Sequence, residues 1–325
     1  MLPAPLLPPS RTGRRRWLLP AALASCTALA ALAAPPAPAR AESVVERVAR
    51  TGDLVLVGDP DQAPLLFLDA QGNPVGYGAE VARRIQAELQ TAVGRPVRLR
   101  FEAVSDPGAI GQRIVAGTAD LACGQAFTWE RDMLVDYSLP IGASGLRLLA
   151  PAGGLDGSPA GLAGSRIGVV AESLAATELA GFQPAAVAVP FSSLKAAVAA
   201  LRAGEVAGVI GDSALLAGLA AAPGGPRLSL SPEEPYESYA VACIVPENDS
   251  AFRNLVNLAI ARLLQGYLDG RPEDMAVFQR WIGPGSPLNR SPEQIRGFVE
   301  SMLLSVEAIR PLPAGAPAAQ TPATP

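Results

Sequence analysis

The sequence predicts an α/β protein of two lobes, and three observations carry that prediction. Strand-like and helix-like patterns alternate along the chain, and the alternation occurs twice. A Gly/Pro/Ser-rich stretch from Pro151 to Pro159 separates the two runs.

In the first run, a helix over Ser43 to Thr51 leads to a short apolar strand, Leu54 to Val57, and a polar loop. Gly72-Asn73-Pro74 then makes a turn before a helix from about Gly78 to Val93. A strand at Val97 to Phe101, a helix at about Pro107 to Ala116 and a strand at Asp120 to Cys123 follow. This β-α-β-α-β order calls for a parallel sheet covered by helices.

The second run reads strand Arg166 to Val170, helix Leu174 to Ala180, strand Ala186 to Val189, helix Ser193 to Ala203 and strand Val206 to Ile210. A turn-rich segment, Pro223 to Pro235, leads into a strand at Tyr239 to Val245 and a long helix from about Ser250 to Asp269. A body of this length with roughly half apolar side chains can bury two modest cores.

The N-terminus has a different character. Arg11, Arg14, Arg15 and Arg16 precede an acid-free apolar run from Trp17 to about Ala34, and Ala39-Arg40-Ala41 matches a small-residue cleavage site. Residues 1–41 therefore read as a signal peptide. The run is short, Ala-rich and interrupted by Pro20, which disfavours a membrane anchor, and no second stretch of transmembrane length follows. Leu23-Ala24-Ser25-Cys26 resembles a lipoprotein box, although the apolar run continues past Cys26, which suits cleavage after Ala41 better. The Arg14-Arg15-Arg16-Trp17-Leu18 string resembles a twin-arginine signal and serves equally well as an ordinary basic leader.

Composition removes several function classes. The full chain has 26 basic and 30 acidic side chains, and without residues 1–41 the balance is 21 against 30, a formal charge of −9. Such a protein is a poor binder of polyanions, so nucleic acid is not an expected partner. There is no histidine. That removes the usual general base, the Ser/His and Cys/His nucleophile pairs and the commonest zinc ligand, so neither a catalytic set nor a metal or other cofactor is expected. Cys123 and Cys243 remain, as one disulfide or as two buried thiols.

Ligands of open α/β sheets bind beyond the carboxyl ends of strands, which directs attention to the loops after Val57, Cys123, Val170 and Ile210. They carry Asp59 and Gln62, then Thr128 and Arg131, then Ser173, and finally Asp212. Each has a plain structural alternative. Asp59 and Gln62 suit a turn, Thr128, Ser173 and Asp212 suit helix N-caps, and Arg131 suits a solvated helix face.

The order and spacing of several motifs point further. Gly52-Asp53-Leu54-Val55-Leu56-Val57-Gly58, Gly76-Tyr77, Gly117-Thr118-Ala119-Asp120, Thr128-x-x-Arg131 and Asp136-Tyr137-Ser138-x-Pro140 lie in the first run. Leu162-Ala163-Gly164-x-x-Ile167-Gly168-Val169 and Leu201-Arg202-Ala203-Gly204 through Asp212 lie in the second. Together, over roughly Val44 to Gly283, the sequence resembles family 3 of the bacterial extracellular solute-binding proteins, the group containing the polar amino acid receptors of ABC importers.

The resemblance implies a type 2 periplasmic-binding-protein fold, two Rossmann-like lobes joined by hinge strands. Residues 42–145 and a return segment, 236–283, would form lobe 1 and residues 146–235 lobe 2. A helical extension at 284–310 and a disordered Pro/Ala tail at 311–325 would follow. The protein would be a periplasmic, monomeric binding protein rather than an enzyme, serving amino acid transport with an ABC permease as partner.

By the same resemblance, Arg131 would grip a ligand carboxylate in a two-pronged guanidinium clamp, assisted by the helix N-terminus at Thr128, and Asp212 would pair with an ammonium. Asp59 and Gln62 match pocket-lining positions, and Ser173 would offer a further hydrogen bond. In the implied fold the strands of Cys123 and Cys243 lie side by side, and a disulfide and two buried thiols both remain open.

The pocket also departs from the family pattern. Gln62 stands where a stacking aromatic is common, and Ala126 supplies no hydroxyl. The segment from Asp120 to Thr128 is one residue short, and Glu80 and Ala207 replace usual aspartates. The expected ligand is a small polar, amino acid-like solute, such as a zwitterion, held in a pocket that differs from the ordinary amino acid pocket of the family. Two further readings compete with a transport receptor. One is an orphan binding protein associated with maturation of glycine-rich peptides, suggested by Cys123-Gly124-x-x-Phe127-Thr128-Trp129. The other is an enzyme on the same scaffold, for which only carboxylates or Lys195, the sole lysine and expected on a solvated helix face, could do acid–base work.

Overall fold

The structure, a computed structural model, describes residues 42–221 and 226–304. The predicted signal peptide, its Cys26 and the predicted tail at 311–325 lie outside the described residues.

An eight-stranded mixed sheet dominates the fold. Its main path runs Val187–Phe191, Arg166–Val170, Gly208–Asp212, Gly142–Pro151, Glu237–Val245, Ala122–Ala126. Asp53–Gly58 and Arg98–Ala103 pair in parallel, and a bridge from Leu56 to Leu121 joins them to the chain entering Ala122–Ala126. The two long strands Gly142–Pro151 and Glu237–Val245 are antiparallel, with Gly142 opposite Val241 and Leu146 opposite Glu237. They carry the chain between the two lobes.

The central strands are apolar at nearly every position because both faces are covered. In Asp53–Gly58, Leu54 and Leu56 face a core with Ile85, Leu89, Phe252, Val256 and Phe278, whereas Val55 and Val57 face Ile110, Ile114 and Ile244. The second lobe repeats the device. Ile210 joins Leu148, Ile167 and Val169 on one face, and Val209 joins Leu149, Leu201 and Leu216 on the other.

Helix starts follow their capping chemistry. Ser43 and Glu46 form a reciprocal capping box at Val44–Thr51, and Asp106 caps Pro107–Val115, where proline fits the first helical position. Asp249 caps Ser250–Leu268 and its other carboxylate oxygen accepts a bond from the Val44 N–H at 2.6 Å. One side chain thus ties the first helix to the long one.

Several expected boundaries move. The third strand is Ala122–Ala126 rather than Asp120 to Cys123, because Asp120 is buried as an acceptor for the Val55 N–H at 2.7 Å and pairs with Arg47. The strand expected at Val206 to Ile210 is Gly208–Asp212, since Gly204 ends the preceding helix in a left-handed turn that extends to Ala207. Within the expected turn-rich segment, Leu228–Ser231 is a strand paired with Gly142–Pro151. The polar loop after Gly58 holds three short antiparallel strands, Asp61–Gln62, Leu66–Leu68 and Pro74–Val75. After the helix Pro272–Trp281, the extension contains the helix Pro292–Leu303, anchored by Ile295 and Val299 in the first-lobe core.

Candidate functional site

Arg131 stands on a single helical turn, Trp129–Asp132, that follows the third strand. Thr128 caps it by accepting the Arg131 N–H at 3.3 Å. A helix of one turn has little dipole, and its cap already occupies that N–H, so the expected help from a helix N-terminus is small. The guanidinium itself is exposed, with Nη1 donating to the Ala126 carbonyl at 3.4 Å. Among the described residues no carboxylate pairs with it.

Aromatic rings surround this turn. Phe127 packs edge-on against Trp129 with centroids 5.0 Å apart and lies 4.9 Å from Tyr137. Trp129 is 74% exposed. Burial raises the Tyr137 pKa, and the charge of Arg131 opposes that rise.

Asp212 ends the strand Gly208–Asp212 and starts the helix Ser213–Ala220. Its Oδ1 accepts the Ala214 and Leu215 N–H groups at 2.8 and 3.0 Å, so it is a cap. Its Oδ2 accepts the Tyr239 hydroxyl at 2.7 Å. Ser144 also hydrogen-bonds Asp212, and its hydroxyl meets that of Ser213 at 3.2 Å. Burial raises the pKa of Asp212, against the pull of these hydrogen bonds.

Tyr239 was not among the residues the sequence singled out. It lies on the hinge strand Glu237–Val245 opposite Ser144, and its pKa is pushed far up by burial and by the negative charge of Asp212. The charge of Arg131 opposes that shift. Tyr239 thus bonds Asp212 directly and feels the charge of Arg131.

Asp59 is half-buried. Its Oδ1 accepts the Asp61 N–H at 2.9 Å, and its side chain bonds Gln62. Burial raises its pKa, and the positive charge of Lys195 acts in the other direction. Lys195 bonds Asp61 at 3.0 Å, joining the second-lobe helix Leu194–Ala203 to the first-lobe loop. Ser173 caps Leu174–Phe182, accepting from Ala176 at 3.3 Å and donating to the Val170 carbonyl at 2.7 Å. Its hydrogen-bonding groups are engaged locally, and among the described residues no hydrogen bond brings it to Arg131 or Asp212. Glu80 pairs with Arg83 and Arg280, an arrangement of the helix surface.

Cys123 and Cys243 are joined by a disulfide across directly opposed positions of neighbouring strands. Among the described residues, no cluster of cysteine, aspartate and glutamate could hold a metal ion, and no helix is long and apolar enough to cross a membrane.

Known structures agree with this architecture. An arginine-binding protein mutant from T. maritima superposes with a TM-score of 0.63 at 20% identity, over 73% of this chain and 98% of that one. An ancestral amino acid-binding protein, a precursor of cyclohexadienyl dehydratase, gives 0.62 at 21%, over 74% and 100%. A solute receptor for L-cysteine of Neisseria gonorrhoeae gives 0.62 at 21%, over 72% and 92%. At such identities the likeness speaks for the fold, which is the type 2 periplasmic-binding fold. No curated protein matches the chain. The model of the bacterial extracellular solute-binding proteins, family 3, matches residues 54–270, more than half of the 325 residues. The chain therefore belongs to that family of solute-binding proteins.

Proposed function

We propose that the protein is an exported receptor that captures a small zwitterion between two closing lobes and presents it to an ABC permease. Residues 42–145 with 236–283 form one lobe and residues 146–235 the other. Arg131 takes the ligand carboxylate in a bidentate clamp, and Asp212, held by Tyr239 and the helix it caps, takes the ammonium. The observation that carries this reading is an exposed first-lobe guanidinium with no carboxylate partner among the described residues, together with a desolvated second-lobe carboxylate that the Tyr239 hydroxyl holds from the hinge strand. A ligand bearing both charges satisfies both groups and favours the arrangement in which they face one another.

The phenol ring of Tyr239 and the exposed face of Trp129 offer aromatic surface near the clamp. This replaces the stacking residue that Gln62 does not provide. Asp59 and Gln62 close the mouth on the first-lobe side, where Lys195 reaches across to Asp61.

A thermal-shift screen of the mature protein against amino acids and other small zwitterions tests the reading. A ligand at about 100 times its Kd adds roughly 2.7 kcal/mol to the folded state. Arg131→Ala should abolish the shift. A ligand that stabilises Arg131→Ala as strongly as the unmodified protein refutes the clamp.

A further inference from the structure

A cavity of about 350 Å³ is lined by none of Arg131, Asp212, Thr128, Asp59, Gln62 and Ser173. Its floor is the hinge, at Gly142 and Val241, and Tyr77 and Phe278 wall it from the first lobe while Ala214 and Ala217 wall it from the second. The segment after Gly283 folds over it, contributing Leu288, Ile295 and Phe298. Ile295 and Val299 bury that segment's helix in the first-lobe core, so the roof is built rather than draped. The roof lies beyond residue 270, where the family match ends.

Two guanidiniums, Arg147 and Arg290, line this chamber, together with the polar side chains of Ser144, Ser213 and Gln294 among mostly apolar ones. Arg147 donates to backbone carbonyls, from Nε to Pro232 at 2.5 Å and from Nη2 to Leu230 at 2.9 Å, which fix its direction without neutralising its charge. Among the described residues neither arginine forms an ion pair. Burial and then the charge of Arg290 push the Arg147 pKa down; Glu233 and Tyr236 oppose that shift. The Tyr236 hydroxyl is turned away, donating to the Gly157 carbonyl at 2.7 Å. Two like charges facing one chamber repel one another, and an anion between them relieves that repulsion.

We infer that this chamber, which borders the Asp212 network at Ser144 and Ser213 but contains neither Arg131 nor Asp212, is a second ligand site that takes a small amphiphilic monoanion: a carboxylate between Arg147 and Arg290 with a compact apolar body against Phe278, Phe298 and Ala217. The volume sits near the lower end of the about 300–1,000 Å³ usual for small-molecule sites, which selects a short chain. Its walls come from both lobes, the hinge and the extension, so an occupant also favours the closed arrangement of the lobes.

Octanoate is the probe, titrated calorimetrically into the mature protein with octan-1-ol as the uncharged control. Octanoate should bind once per chain. Arg290→Glu, a change at an exposed side chain, should weaken octanoate at least tenfold while leaving octanol unchanged, and Ala217→Phe should weaken both by filling the chamber. Arg131→Ala should leave octanoate binding as it is. Circular dichroism of Arg290→Glu checks that the fold is intact, so a loss there reads as lost recognition. No octanoate binding, binding indifferent to Arg290→Glu, or binding abolished by Arg131→Ala each overturns the inference.

Discussion

The Tyr239 hydroxyl donates to Asp212 Oδ2 at 2.7 Å, across 27 positions of sequence and from a hinge strand to the start of a second-lobe helix. This bond fixes the carboxylate where the lobes meet. With Oδ1 held by the Ala214 and Leu215 N–H groups, Asp212 has little freedom to turn away. A receptor gains from such fixation because the ligand need not order the side chain on binding.

Tyr239→Phe removes that donor and leaves a desolvated carboxylate oxygen short of a partner. Loss of a hydrogen bond to a buried charged group costs about 1.5–3 kcal/mol. Denaturant unfolding at neutral pH should show a loss of this size. Ligand affinity should fall along with it, because the carboxylate is no longer aimed. An unchanged stability would mean that solvent replaces the hydroxyl freely.

The raised pKa of Asp212 sets a pH dependence of definite sign. A carboxyl whose folded pKa exceeds its unfolded one binds protons more tightly when folded, so its contribution to stability declines as pH rises from the ordinary aspartate value through the raised value. Asp212→Asn should flatten that segment of the stability profile. Binding has the opposite sign. Protonated Asp212 cannot pair with an ammonium, so affinity should fall as pH drops through the raised pKa. Calorimetric titrations across that window should show the step in the unmodified protein and its loss in Asp212→Asn. Burial raises the Asp59 pKa too, so Asp59→Asn is the control and should retain the step.

The Cys123–Cys243 disulfide closes a loop of 120 residues. Chain-entropy arguments assign such a crosslink about 5 kcal/mol of stability. Under denaturing conditions the mature protein should show no titratable thiol before reduction and two after it. Reduction should lower the Tm by well over 5 °C, since each kcal/mol shifts a domain of this size by about 2–4 °C. Two reactive thiols before reduction would exclude the bond.

The Lys195–Asp61 pair spans the lobes but is largely exposed, at 64% and 61% of the side chains. Exposed pairs contribute about 0–1 kcal/mol, so Lys195→Ala should change stability by no more than that and should mimic the effect of added salt. It should also raise the Asp59 pKa further, because the Lys195 charge lowers it. A larger stability loss would assign the pair a structural role.

How much of this was legible in sequence depends on how local each feature is. Strands such as Asp53–Gly58 announce themselves because burial on both faces demands an unbroken apolar run, and caps such as Ser43 act within four residues. Thr128 and Asp212 are visible for the same reason. Tyr239 is not, since nothing near it in sequence reveals that the hinge pairs it with Ser144 and brings it to Asp212. Leu228–Ser231 hides because its period-two pattern is framed by prolines. The third strand shifts because the buried Asp120 takes a ladder position through its side chain, a long-range bond that composition cannot reveal. The chamber under the extension is assembled from eight separate stretches of chain, and no motif marks it.

Gly218 offers the sharpest test of closure. It lies on the helix Ser213–Ala220, and a Cβ there would come 2.4 Å from the Ala63 carbonyl oxygen and 3.0 Å from its carbon. Backbone on the first-lobe loop cannot yield as a flexible side chain would. Taken alone, Gly→Ala in a helix adds about 1 kcal/mol of stability. If the lobes can part, Gly218→Ala relieves the clash by opening, retains most of its stability and loses ligand affinity by tenfold or more. If the two surfaces are permanently packed, the clash has no outlet and the variant loses stability instead. Chemical denaturation and ligand titration on the same variant separate these outcomes: preserved stability with weakened binding supports closure on the ligand, and lost stability with unchanged affinity refutes it.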